Sequence, residues 1–210
     1  FLLLFISLLT SNMNAAIVPA APSINAIAYL VMDFNSGQII AEKDIDKRVD
    51  PASLTKMMTT YIVASEIMEG NIGLEDMVRV SEKAWRMEGS RMFIEVDKEV
   101  SVENLLKGVI IQSGNDASVA LAEYIAGTED VFAAIMNQYA TKLGMKNTNF
   151  TNSSGLPHEN HYTTARDLSV LANAIIKNHP ELYKWHSIKE FTFNGIKQPN
   201  RNLLLWRDDS

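Results

Sequence analysis

The stretch "DPASLTKMMTTYIVAS", Asp50 to Ser65, decides how the chain is read. Asp50-Pro51 interrupts what precedes it, because a residue before proline is pushed away from helical backbone angles. Leu54, Met57, Met58, Tyr61, Ile62, Ala64 and Ile67 follow at helical spacing. They predict a helix from Ser53 to Glu69 with one broad buried face and a stop at Gly70. Ser53 and Lys56 stand at its head, three residues apart and so on one face. Two readings are open. Serine is a favoured helix cap whatever the chemistry. It is also a sound place for a nucleophile, since the unpaired N–H groups and positive dipole end of a helix stabilise an oxyanion. The same positive end and partial burial depress a lysine pKa, so that a neutral amine can take the serine proton. A chain of this composition holds about one S-x-x-K by chance. The pair alone does not decide.

Working outward, "AIAYLVMDF", the turn "NSG" and "QIIAEK" predict a hairpin ahead of the helix. Beyond it, residues 71–99 read as irregular structure with short strands at "MVRV" and "RMFIEV". "SVENLLKGVIIQ" is a helix capped by Ser101, followed by helices at "ASVALAEYIAG" and, capped by Thr128, "EDVFAAIMNQYATKLGM". A polar loop, "NTNFTNSSGLPHENHY", leads to "TARDLSVLANAIIKNHP", where Thr164 and Asp167 are spaced as a capping box. "KEFTFNGIKQ" is a second hairpin around Asn194-Gly195. Strands at both ends with helices massed between them favour one α+β domain, with a sheet assembled from distant segments and a helical insert.

At 210 residues the chain can bury a sizeable core, and its 47% apolar and 21% charged residues are ordinary for a globular protein. A net charge of −6 with no basic run argues against nucleic acid as a partner. There are no cysteines, which excludes disulfides and thiolate chemistry, and no HExxH pair, so neither a metal nor a cofactor is expected. "FLLLFISLLT" followed by "SNMNAA" reads as the apolar and cleavage regions of a secretory signal peptide, residues 1–16, cut near Ala15 or Ala16. The apolar block is shorter than the ~20 residues of a spanning helix.

A second constellation is "IQSGNDAS", with Ser113, Gly114 and Asn115 in a tight polar break between apolar helices. Such a loop can present a hydroxyl and an amide to one cleft. The spacing is not special by itself, since Ser23-Ile24-Asn25 repeats it.

"DPASLTKMMTTYIV" together with "LLKGVIIQSGNDASVALAEYIAG" resembles the low-molecular-mass penicillin-binding D-alanyl-D-alanine carboxypeptidases, peptidases of the S11 type. "YLVMDFNSGQIIAEKD", "GMKNTNFTNSSGL", "HYTTARDLSVLA" and "KEFTFNGIKQPNRNLLLW" resemble further blocks of that family in the same order. The resemblance implies a β-lactamase/transpeptidase-like α+β fold, an antiparallel sheet with flanking helices and a helical insert, over residues 17–210. It implies Ser53 as the acylated nucleophile, its backbone N–H as half of the oxyanion hole, and Lys56 as its general base. Ser113 is implied as a proton relay to the leaving D-alanine and Asn115 as a contact to the substrate amide. His158 and His161 read as surface residues, Met57 and Tyr61 as core, and Arg201 as near the site with a structural role equally open.

The family's third motif, K-T-G, does not occur. The expectation is therefore a catalytic domain that is C-terminally incomplete: the parent protein active, the 210-residue chain not. The resemblance further implies peptidoglycan stem peptides as substrate and β-lactams as covalent inhibitors. It also implies an exported location, in the periplasm or on the outer face of the cytoplasmic membrane, with membrane association through a C-terminal tail. Two alternatives stand beside it. A serine β-lactamase of class A would need an E-x-x-L-N segment, which is absent, and the class C pattern places tyrosine where Ser113 stands. A non-catalytic wall-binding protein of the same fold would be free to lose Ser53 and Lys56, yet both are present.

Overall fold

The computed structural model describes residues 24–207, so the signal-peptide reading of residues 1–16 lies outside the described residues. Strands β1 (Tyr29–Met32) and β2 (Ile39–Lys43) form the expected antiparallel hairpin, with a register shift between Val31 and Met32. The Asp33 carboxylate accepts from the Ser36 N–H and hydroxyl, each at 2.7 Å, and organises the turn. A 3₁₀ turn over Ala52–Thr55 then feeds α1 (Lys56–Met68). Ser53 is therefore not a helix cap. Pro51 already sits in helical backbone, so the chain tightens into the 3₁₀ turn first, and the turn and α1 have no side-chain cap. Gly70, at φ +76°, ends the helix as expected, where glycine takes a left-handed angle without steric cost.

Strand β3 (Met77–Arg79), helix α2 (Glu82–Trp85), strand β4 (Glu99–Ser101) and helix α3 (Val102–Lys107) come next, and β3 pairs antiparallel with β4. Ser101 caps α3 as predicted, accepting from the Asn104 N–H at 3.3 Å. The strand expected at "RMFIEV" does not form. The Asp116 carboxylate takes the N–H groups of Met92 (3.0 Å), Phe93 (2.9 Å) and Ile94 (3.3 Å), and Phe93 adopts a left-handed φ of +67°. Those donors are spent on a side chain and cannot enter a ladder.

A π turn over Gly108–Gln112 joins α3 to α4 (Asn115–Ala126), and α5 (Glu129–Leu143) follows, capped by Thr128 through the Val131 N–H at 3.2 Å. α6 (Ala165–Asn178) starts with half of the expected capping box. Thr164 accepts from the Asp167 N–H at 3.1 Å, while the Asp167 carboxylate turns to the Asn147 N–H and Thr148 hydroxyl, each at 2.7 Å. α7 (Pro180–Tyr183) leads to the hairpin of β5 (Glu190–Phe193) and β6 (Ile196–Pro199). Its turn residues, Asn194 (φ +48°) and Gly195 (φ +74°), have the paired positive angles of a type I′ turn. Among the described residues the first and last hairpins stay separate two-stranded units rather than joining into one sheet.

α1 is the axis of the molecule, buried on every side from Met58 to Ser65 rather than on one face. Val63 belongs to a core with Val78, Val80, Met92, Leu105, Leu106 and Leu121. Met58, Tyr61 and Ile62 belong to a second core with Phe132, Met136, Phe150 and Leu171. Each such side chain contributes about 1.5–3 kcal/mol on full burial. The polar residues in this span are satisfied locally or across the interface: Thr60 donates to the Lys56 carbonyl, Ser65 to the Tyr61 carbonyl, Thr59 to the Ser153 carbonyl. Tyr61 is core as expected, its hydroxyl accepting from Asn178 at 2.9 Å, and Met57 is partly buried against the same cluster.

Candidate active site

Ser53, Lys56 and Ser113 line one cleft of about 160 Å³, with Met57, Thr60, Val109, Ile110 and His186 as its other walls. Two chain features bring them together. The first is the turn before α1. Ala52 holds a left-handed φ of +45°, uncommon for a residue with a side chain, and sits directly against Gly155. A Cβ at Gly155 would lie 1.8 Å from the Ala52 carbonyl oxygen, and Gly155 itself has φ +85°. Only glycine lets the "NSSGL" loop press this closely on the residue before Ser53. Within the turn, Leu54 N–H bonds to the Pro51 carbonyl at 3.0 Å, and no acceptor among the described residues takes the Ser53 N–H.

The second feature is the π turn, which ends with Ser113 at φ +60°. The 87–94 loop clasps it: the Ser90 hydroxyl donates to the Gln112 carbonyl (2.6 Å) and the Asn115 N–H to the Ser90 carbonyl (2.7 Å). Gly114 has no room for a side chain, since a Cβ would stand 2.9 Å from Asp116 Oδ1. Asn115 does not line the cleft. It is buried, with Nδ2 donating to the Glu88 carbonyl at 2.6 Å.

Lys56 is 4% exposed. Its Nζ reaches the Ser154 carbonyl at 2.5 Å and the Ser53 Oγ at 3.5 Å. Burial pushes its pKa down, the Arg201 guanidinium pushes it further, and Asp116 opposes both, leaving it at about 8. A substantial neutral fraction at neutral to mildly alkaline pH makes Nζ a competent proton acceptor for the hydroxyl it faces. Arg201 is thus near the site electrostatically, while its backbone N–H bonds to the Ile111 carbonyl at 3.4 Å.

His161 departs from its surface reading. It is 3% exposed, with Nδ1 accepting from the Thr151 N–H at 3.0 Å and Nε2 bonded to Thr55 Oγ1 at 2.7 Å. An acceptor Nδ1 places the hydrogen of the neutral ring on Nε2, which then donates to Thr55. The ring ties the polar loop to the turn that carries Ser53. His158 is exposed as expected. The Ser154 carbonyl and the His186 wall were not visible as site features from the sequence, because a backbone acceptor has no residue signature and His186 belongs to no motif. Among the described residues no group of three or more His, Cys, Asp or Glu is placed to hold a metal.

A hydroxyl 3.5 Å from a buried amine, on a turn whose Ser53 N–H meets no acceptor among the described residues, suits acyl transfer, and known proteins share its frame. A family model described as D-alanyl-D-alanine carboxypeptidase, Peptidase S11, matches residues 15–210. The chain belongs to the peptidase S11 family. Among S11 relatives, the D-alanyl-D-alanine carboxypeptidase DacC of Escherichia coli is 50% identical over 192 residues, 89% of this chain and 48% of that protein. DacA of Haemophilus influenzae is 47% identical over 203 residues, 95% of this chain and 51% of that protein. The chain therefore spans about half the length of the curated relatives it matches. Penicillin-binding protein 5 of Haemophilus influenzae superposes with a TM-score of 0.88 at 48% identity, covering 90% of this chain and 56% of that one. Penicillin-binding protein 6B of Escherichia coli gives 0.87 at 42% identity, over 92% of this chain and 63% of that one. The α+β, penicillin-binding-protein fold expected for the S11 family is the one observed.

Proposed function

We propose that the whole protein carrying this chain is a serine-type D-alanyl-D-alanine carboxypeptidase acting on peptidoglycan stem peptides and acylated by β-lactams. The observation that carries the reading is the buried Lys56 amine, 3.5 Å from the Ser53 hydroxyl, with its pKa depressed to about 8. In the proposed reaction Lys56 takes the Ser53 proton as Oγ adds to the carbonyl carbon of the penultimate D-alanine. The C–N bond to the terminal D-alanine breaks, and the leaving amine receives a proton through Ser113. Water then cleaves the Ser53 ester and frees the shortened peptide. The Ser53 N–H is assigned to share the developing oxyanion, whereas Asn115, buried on the Glu88 carbonyl, is given no contact with the substrate amide. Export, a location in the periplasm or on the outer face of the cytoplasmic membrane, and anchoring through a C-terminal tail belong to the same reading, supported by the apolar start of the sequence and the family.

The test is release of D-alanine from a stem pentapeptide by the full protein, with Ser53→Ala beside the wild type. The expected loss on substitution is about 10³-fold or more. Unchanged release by Ser53→Ala would refute the serine mechanism. Turnover of penicillin without D-alanine release would instead favour a β-lactamase.

A further inference from the structure

The acceptor that fixes Lys56 is a loop carbonyl, and that loop is held by a carboxylate on another helix. Ser154 supplies the carbonyl for Lys56 Nζ, and the neighbouring Ser153 carbonyl accepts from Thr59 on α1 (2.7 Å) and Ser118 on α4 (2.8 Å). Ser153 in turn gives both its N–H (3.0 Å) and its hydroxyl (2.8 Å) to Glu129 Oε1. Glu129 opens α5 and is 6% exposed, and its other oxygen pairs with the half-exposed Lys83 of α2 at 2.8 Å. Both Glu129 oxygens and the N–H, hydroxyl and carbonyl of Ser153 are engaged. A buried carboxylate at a helix N-terminus, with two donors on one oxygen and a cation on the other, is fixed in position, because losing any of these partners leaves a buried group unpaired.

We propose that Glu129 is a positioning residue for acyl transfer: through Ser153 it locks the loop whose Ser154 carbonyl aims Lys56 Nζ at Ser53. This rests on the Ser53–Lys56 reading above. Burial works against the charged form of Glu129, yet the Lys83 and Ser153 bonds prevail and hold its pKa below the usual carboxylate value. Asp130 beside it and Glu123 of α4 act on the same Lys83. The charges that act on Lys56 are Arg201 and Asp116, with His186 as a further titratable wall of the cleft. Removing Glu129 therefore reaches Lys56 through the loop and not through a direct field.

The experiment measures the second-order rate of acylation by a fluorescent penicillin, as a function of pH, for the full protein and its variants. Glu129→Ala is expected to slow acylation about 10- to 100-fold, as misplacement of a reacting group does. It should also move the acid limb to higher pH, because a loosened loop admits water to Lys56. Glu129→Gln keeps an acceptor for Ser153 and is expected to recover most of the rate and the limb. Should Glu129→Ala fail to fold, Ser153→Ala removes only the hydroxyl donor, and a roughly threefold slowing with the same direction of limb shift is expected. A folded variant of reduced melting temperature but wild-type acylation rate and pH profile would overturn the proposal, leaving Glu129 a purely structural anchor. Ser53→Ala separates the two levels: residual labelling there sinks the underlying reading, whereas lost labelling with unaffected Glu129 variants sinks only the positioning role.

Discussion

At the scale of single residues, Lys56 decides the pH behaviour. On the proposed mechanism its neutral form is the reactive one, so acylation of the full protein should rise about tenfold per pH unit below about 8 and level off above it, read from penicillin acylation rates. Arg201 contributes a positive charge that lowers the Lys56 pKa, so Arg201→Gln should shift that limb to higher pH while the plateau is still reached. Direct substrate contact by Arg201 would instead depress the plateau. Gly155 is the second sensitive residue. Its left-handed φ and the 1.8 Å separation of a Cβ from the Ala52 oxygen leave Gly155→Ala no solution without moving the turn that carries Ser53. A loss of about 3 kcal/mol or more is expected from thermal unfolding, together with loss of acylation.

At the scale of elements, one side chain takes three consecutive backbone donors of the loop over residues 87–94. Asp116 Oδ1 accepts from Met92 and Ala117, and Oδ2 accepts from Phe93 and Ile94. In Asp116→Asn one of these pairs faces an amide donor. The variant should lose about 2–4 kcal/mol in urea unfolding, with amide exchange accelerated at Met92–Ile94. Retained protection there would show that the Ser90, Asn115 and Gln198 hydrogen bonds hold the loop without Asp116. The same contact explains what was legible in the sequence. The two hairpins and the caps at Ser101 and Thr128 were readable because turn and cap chemistry lies within a few residues. "RMFIEV" has the pattern of a strand, but its backbone donors go to a carboxylate more than twenty residues downstream. Ser53, Lys56 and Ser113 were found from motif and resemblance and do share a cleft. The Ser154 carbonyl, the buried His161 and the Glu129–Lys83 pair were not found, since each is defined by a tertiary partner rather than by spacing.

At the scale of the whole molecule, His161, His179 and His186 all have pKa values lowered from 6.5 by burial. Below pH 6.5 the unfolded chain takes up protons that the folded chain resists. The stability present above that pH is therefore lost as pH falls through the folded values. Melting temperature should drop between pH 7 and pH 5, and less steeply in His161→Gln; equal slopes would remove His161 from the account. The Ser153–Ser154 staple has a kinetic meaning as well. Lys56 and Ser154 are 98 positions apart, Thr59 and Ser153 are 94 apart, and Ser118 and Ser153 are 35 apart. The helices and hairpins close over a handful of residues, whereas these bonds must wait for distant segments to meet. In a refolding protein, helical signal should return before reactivity toward penicillin does. Covalent labelling then serves as a clock for the last long-range step of folding.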